Sequence, residues 1–164
     1  MPERERGERL ADWLTLTGAL ALFASLFLTW SHQFSAAFLA AEGTSEKLHG
    51  VPHDPTAWQV YSAADVLLAL LSVALAGVAL AGTRRARVIT LAFSLPALAF
   101  ALHALATPPT NGANIFDPSL GVPSYVPNSP AAGPGETVAI LALGIGTMGL
   151  LLSLKVAPRR SAPS

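Results

Sequence analysis

Four apolar runs of near-membrane length divide this chain, at 13–31, 60–82, 88–107 and 137–154. The first, third and fourth hold no Asp, Glu, Lys or Arg, and the second is broken only by Asp65. A helix needs ~20 apolar residues to cross ~30 Å of hydrocarbon at ~1.5 Å per residue, and each run approaches that. None alternates apolar and polar side chains with a period of two, so none reads as a strand. Without water, backbone polar groups must be satisfied within the segment, which leaves helices. The expected fold is all-α, a four-helix transmembrane bundle with two long irregular outer loops. Composition agrees. Only 12% of the 164 residues are charged and the mean hydropathy is +0.50, whereas a soluble domain is about one quarter charged.

Lys and Arg set the orientation. Arg4, Arg6 and Arg9 precede the first run, Arg84, Arg85 and Arg87 fill the short second connection, and Lys155, Arg159 and Arg160 follow the fourth. The other side holds only Lys47. The positive-inside rule then predicts a multi-pass protein of the cell (inner) membrane with both termini cytoplasmic. The expected segments are a cytoplasmic arm at 1–12, transmembrane helices at 13–32, 57–82, 88–107 and 137–156, outer loops at 33–56 and 108–136, a basic cytoplasmic loop at 83–87 and a cytoplasmic tail at 157–164. The first run is longer than a signal-peptide core, and Glu3, Glu5, Glu8 and Asp12 make an atypical leader, so a retained helix is expected despite the small residues of SAAFLAAEG.

Aromatic residues mark expected boundaries. Trp13 and Trp30 lie about 25 Å apart on one helix, close to a hydrocarbon thickness. Trp58 and Tyr61 mark the outer interface before the second run. In the first outer loop, Phe34, Phe38 and Leu39 share one short helical face, so the first span extends outward or turns into an interfacial helix. The second outer loop is dense in Pro and Gly, yet Ile115, Phe116, Leu120, Val122, Tyr125 and Val126 are apolar enough to pack. It reads as an irregular cap on the bundle or on a partner.

Helices in lipid associate where small residues let backbones approach. The fourth run offers Ala139, Ala142, Gly146, Gly149 and Ser153 on one face as helix-packing residues. The second offers Ser62, Asp65, Ala69, Ser72, Ala76 and Ala79, the third Ala92, Pro96, Ala99, His103 and Ala106, and the first Gly18, Ala21 and Ser25, continued by Leu28 and His32. These seams carry His32, Asp65 and His103 toward the bundle about 24–30 Å from the inner charges, and Glu136 sits at the same level. Together they form a candidate outer polar collar. Ionisable groups within spans are costly and are often kept for function. Asp65 has a structural reading as well: Ser62-x-x-Asp65 fits a capping box, with Thr56-x-x-Gln59 as a rival start one and a half turns earlier.

Other chemistry finds little support. The chain has no cysteine, which removes disulfides, thiolate metal sites and thiol catalysis. His49 and His53, with Glu46 and Asp54, are metal-ligand types in a loop, but the Gly and Pro between them deny single-face helical geometry. His32 with His103 is the one intramembrane pair that suits haem, and both lie near one surface. No nucleotide loop, HExxH, GxSxG or nucleic-acid motif is present. No cofactor, bound metal, nucleic-acid partner or enzymatic activity is expected.

The close of the first run, SLFLTW, resembles the end of the first helix in uncharacterised four-span integral membrane proteins of actinobacteria and related GC-rich bacteria. TAWQVYSAADVLLALLSVALAG resembles their AWQ-aromatic segment before an Asp and a Leu/Ala-rich second span. The basic loop, Pro96, the Pro-Pro that follows the third run and the Gly-rich fourth run fit as well. The abundance of Ala, Gly, Pro and Arg suits such a genome. The second outer loop is longer than that resemblance implies. The resemblance implies a topology and no activity. The expected role is therefore packing with copies of itself or a membrane-protein partner in the lipid bilayer. The alternative is a small transporter or channel-like subunit using the outer collar.

Overall fold

The computed structural model describes residues 2–42, 53–61, 63–109 and 130–156 and is mostly helical. Six helices and two short strands follow in the order α1 (Pro2–Ser25), β1 (Ser31–His32), α2 (Ala36–Glu42), α3 (Ala57–Val60), α4 (Ala64–Ala81), α5 (Arg84–Ala106), β2 (Ala131–Ala132) and α6 (Pro134–Val156). Three of these, α4, α5 and α6, are long and apolar enough to cross a membrane.

The first apolar run behaves differently from the others. Its helix starts at Pro2, because proline suits a first helical turn and Glu3 and Glu5 favour the positive end of the helix dipole. The residues expected as an arm are thus the opening turns of α1. The helix stops at Ser25, inside the apolar run. The amides of Leu26, Phe27 and Leu28 reach back three residues, to the carbonyls of Phe23, Ala24 and Ser25 at 3.1–3.3 Å, a 3₁₀ tightening that ends a helix. Charged residues at one end and this early stop at the other keep α1 outside the set of spanning helices.

α1 runs antiparallel to α6 along its whole length. A Cβ on Gly7 would lie 3.6 Å from Val156, one on Gly149 would lie 2.7 Å from the Ala11 carbonyl, and one on Gly18 would lie 2.6 Å from the Gly146 amide. The whole seam expected on the fourth run is buried, from Ala139 through Ala142, Gly146 and Gly149 to Ser153. Gly149 meets α1, and Gly146 lies between Gly18 of α1 and Leu75 of α4, so the seam is spent within the chain. α4 packs on α1 and α5 packs on α6, while α4 and α5 touch each other little.

The third run corrects its expected seam. Ala92, Pro96, Ala99, His103 and Ala106 are all exposed, and α5 instead buries Thr90, Ser94, Ala101 and Ala104. The two stripes lie on roughly opposite faces, and both are small enough to pack. Sequence offers no reason to prefer one, and contact with α6 chooses the stripe bearing Thr90 and Ser94.

Around this framework the polarity of a soluble protein is reversed. Leu80, Trp13, Leu67, Val73 and Phe93 are each 65% exposed or more, while Thr15, Ser25, Ser72, Ser94 and Ser153 are 3% exposed or less. A surface of large apolar side chains around an interior that also buries small polar ones suits lipid. Several buried hydroxyls return to their own helices: Thr15 donates to the Ala11 carbonyl at 2.8 Å and Ser94 to the Thr90 carbonyl at 2.9 Å. At the basic end, Arg87 Nη2 donates to Asp12 Oδ1 at 2.8 Å and ties α5 to α1. Beside it, Thr83 caps α5 by accepting from the Ala86 amide at 3.3 Å.

Candidate functional site

The end opposite Arg87 is closed by a backbone-stitched cap. β1 and β2 pair antiparallel, with Ser31 opposite Ala132 and His32 opposite Ala131. Thr29 bridges to Thr56. The Trp30 amide donates to the Pro55 carbonyl at 2.9 Å, the Gln33 amide to the His53 carbonyl at 2.9 Å, and the Gly133 amide to the Trp30 carbonyl at 3.0 Å. Ser31 Oγ and Gln33 Nε2 each donate to the Pro109 carbonyl at 3.0 Å. Four segments, 29–33, 53–56, 109 and 131–133, drawn from the two long connections, therefore meet in one plate, which satisfies backbone groups that no helix serves. Residues 110–129 lie outside the described residues; the two ends of that loop take part in the cap through Pro109 and Ala131–Ala132.

Beneath the plate stands an aromatic stack. Trp30 is 0% exposed, and its indole N–H donates to the Ser25 carbonyl at 2.8 Å. This caps the end of α1, since the last carbonyls of a helix have no partner within it. Trp30 is thus a core residue, in place of the interfacial marker expected from its position at the end of the run. Tyr61 meets its ring edge-on at 5.7 Å, and Phe100 of α5 meets Tyr61 at 5.2 Å. Gly135 lies against Trp30: a Cβ there would be 2.4 Å from the indole Cδ1. Trp58, by contrast, is 40% exposed, in keeping with an interfacial position.

The four collar residues separate. Glu136, in the first turn of α6, is 0% exposed, and among the described residues neither carboxyl oxygen has a hydrogen-bond partner of good geometry. The Gly133 amide that approaches it is already donated to Trp30. Asp65 is 3% exposed and accepts from the Val66 amide at 2.7 Å. It serves a free amide of the first turn of α4 from inside the helix, with the favourable dipole of that end. Ser62 lies outside the described residues. The rival start does form: the Thr56 amide donates to Gln59 Oε1 at 3.0 Å and opens α3.

His32 and His103 do not join these carboxyls. His32 Nδ1 lies 2.6 Å from Asp54 Oδ1 in a half-exposed pair. His103 stands on the exposed face of α5, with Nε2 3.3 Å from Thr107 Oγ1. Haem ligation by these two would need both rings to leave those settings and face one site. His49 and Glu46 lie outside the described residues, and His53 packs its ring edge against Phe34 at 5.8 Å. Among the described residues no group of three or more His, Cys, Asp or Glu could hold a metal ion.

What this end can do chemically rests on Glu136. A carboxyl with no donor among the described residues, held away from water, is costly in its charged form, and a proton, a cation or a rearranged neighbour relieves that cost. The pairs His32–Asp54 and Asp12–Arg87 went unforeseen. Their members are 22 and 75 residues apart, and no local pattern joins them. No known protein family, curated protein or solved structure matches the chain.

Proposed function

We propose that this chain is a four-span protein of the cell membrane with both termini in the cytoplasm, and that it works without catalysis by docking a membrane partner or a second copy along α5. The likeness of SLFLTW and TAWQVYSAAD to four-span bacterial proteins belongs to the same reading. In it α1 completes the bundle, its short apolar helix extended by the buried Leu26 and Trp30. The observation that carries the docking role is the outward stripe of α5. Ala92, Pro96, Ala99, His103 and Ala106 are exposed, although small residues normally mark the close approach of another helix. Pro96 also lacks the N–H that would return to the Ala92 carbonyl, and in hydrocarbon that carbonyl gains from a donor on a partner.

Topology gives the first test. A phosphatase active only outside the cytoplasm, fused after Val156, is expected to be inactive, and a cytoplasm-active reporter at the same place to be active. The reverse pattern overturns the orientation. Docking is tested with single cysteines, which are clean because the chain has none. Ala99→Cys is expected to cross-link to a membrane partner or a second copy in native membranes. Leu141→Cys, 60% exposed at matching depth on α6, is expected not to. Equal yields from the two positions defeat the docking role.

Glu136, buried and without a hydrogen-bond partner among the described residues, favours a second reading, a small transporter or channel-like subunit in which this carboxyl takes a proton or cation. Glu136→Met is expected to stabilise the fold in detergent by about 1–3 kcal/mol, because it removes an unsatisfied buried group. Under the second reading, wild-type proteoliposomes also pass protons or monovalent cations faster than protein-free vesicles, and Glu136→Gln abolishes the difference. Wild-type vesicles as tight as empty ones dismiss it.

A further inference from the structure

α4 and α5 are joined through Gly82 and Thr83, but each leans on a different neighbour, and between them lies an apolar groove of about 610 Å³. Leu67, Leu71 and Ala74 form one wall and Ile89, Phe93 and Phe100 the other. The contact of Tyr61 with Phe100 lies at its cap end, and Ala74 and Ile89 are its lining residues nearest the basic end.

We propose that this groove holds one acyl chain of an anionic phospholipid whose phosphate sits on Arg85, with Arg84 beside it, in the leaflet at the basic end. The proposal rests on the reading of α4 and α5 as spans. Charge and length select this occupant. Arg85, Ile89 and Phe93 follow one another at four-residue intervals, so they share one stripe of α5, and Arg84 and Arg85 are exposed. Arg87 is already engaged by Asp12. Arg85 stands about 6 Å beyond Ile89 toward the basic end, and the α5 wall from Ile89 to Phe100 is about 16 Å long at ~1.5 Å per residue. Half of a ~30 Å hydrocarbon core is about 15 Å, the depth an acyl chain fills. A phosphate at Arg85 therefore places its chain against Ile89 and Phe93. Exposed Arg85 offers a cation at the end of the groove, and anionic headgroups attract arginines near the surface by about fivefold in affinity for each residue.

The test uses the full chain in vesicles mixing phosphatidylglycerol and phosphatidylcholine, with bromine on the acyl chains of one lipid at a time. Phe93→Trp reports from the groove, and Met148→Trp reports from α6 at similar depth, where Met148 is 58% exposed. Emission of the wild-type tryptophans is subtracted. The expected result is a relative affinity for phosphatidylglycerol of about fivefold or more at Phe93→Trp, near one at Met148→Trp, and returned to near one at Phe93→Trp by Arg84→Gln with Arg85→Gln. Should Phe93→Trp fold poorly, Ile89→Trp replaces it, since Ile89 is 49% exposed. Equal affinity for both lipids at the groove, or a preference that survives loss of the arginines, overturns the proposal. So does a groove tryptophan that neither lipid quenches while Met148→Trp is quenched, which would mean that protein fills the groove. If neither position is quenched, α5 and α6 are not spans and both readings fall.

Discussion

Gly149→Ala is expected to cost about 1–3 kcal/mol of stability in detergent, the range for forcing extra methyl groups into a packed interior, and Gly18→Ala should cost as much. A Cβ at 149 would stand 2.4 Å from Thr15 Oγ1 and 2.7 Å from both the Ala11 carbonyl oxygen and the Thr15 amide. None of these atoms can yield easily. Two belong to the backbone of α1, and the hydroxyl is held to Ala11 at 2.8 Å. A Cβ at 18 would meet the Gly146 amide at 2.6 Å and the Ala142 carbonyl oxygen at 2.7 Å. The helices would have to move apart, and they form the central pair on which α4 and α5 depend. Gly146→Ala makes the contrast, since its new methyl would rest 3.6 Å from Leu75, an ordinary contact. Gly144→Ala has nothing within 4 Å and should gain about 0.5–1 kcal/mol from reduced backbone freedom in the unfolded chain. Thermal unfolding of the four variants, followed by circular dichroism, checks the order. If Gly149→Ala and Gly144→Ala melted together, the close approach of α1 and α6 would be wrong.

That order could not be read from the residues alone. The seam on the fourth run was legible because small residues at spacings of three and four leave one choice of face, and every member is buried. Which glycine touches backbone depends on the register with α1, and register is a property of two helices together. α5 shows the same limit more sharply. Its sequence carries two small-residue stripes, one with His103 and one with Ser94, and only the position of α6 decides which turns inward. The boundary of α1 was hidden for another reason. Trp13 to Ser31 is uniformly apolar, so hydropathy continues past Ser25, where the hydrogen bonds change pattern and the chain enters the cap.

The collar was legible as a level and not as a site. Rise per residue placed His32, Asp65, His103 and Glu136 near one end, and counting along helices serves depth well. Rotation about each helix axis, and the non-helical course of 26–34, were beyond it. His103 consequently stands outside and His32 turns to Asp54, while Glu136, with the least local motif around it, is the one of the four that is buried with no partner among the described residues. Asp65 had a sequence argument for helix initiation, and its bond to the Val66 amide is of that kind.

Trp30 will separate an interfacial anchor from a structural cap most clearly. A tryptophan at the membrane edge keeps one face in lipid and its N–H near water, and replacement by phenylalanine at such a site changes stability by within about 0.5 kcal/mol, as for other surface substitutions. Trp13 and Trp58, at 67% and 40% exposure, are expected to behave in this way. Trp30 is 0% exposed, donates to Ser25 at 2.8 Å, and supports Tyr61 and Gly135. Trp30→Phe removes the stronger of two donors to the Ser25 carbonyl, leaving the Leu28 amide at 3.2 Å, and should cost about 0.5–1.5 kcal/mol in hydrogen bonding besides the lost ring contacts. Trp30→Ala also opens a cavity beneath the cap and should cost about 3–5 kcal/mol. Cavity and cap must fail together, because the backbone of Trp30 meets Pro55 and Gly133 at 2.9 and 3.0 Å while its ring supports the same segments from below. Loosening of that plate is read separately from global melting, by amide exchange at Gly133 and Gly135. Both amides are expected to exchange faster in Trp30→Ala at temperatures where the helices remain folded. If Trp30→Phe matched Trp13→Phe in stability, and Gly133 and Gly135 kept their protection in Trp30→Ala, the indole would be an ornament of the cap and α1 would end for reasons of its own.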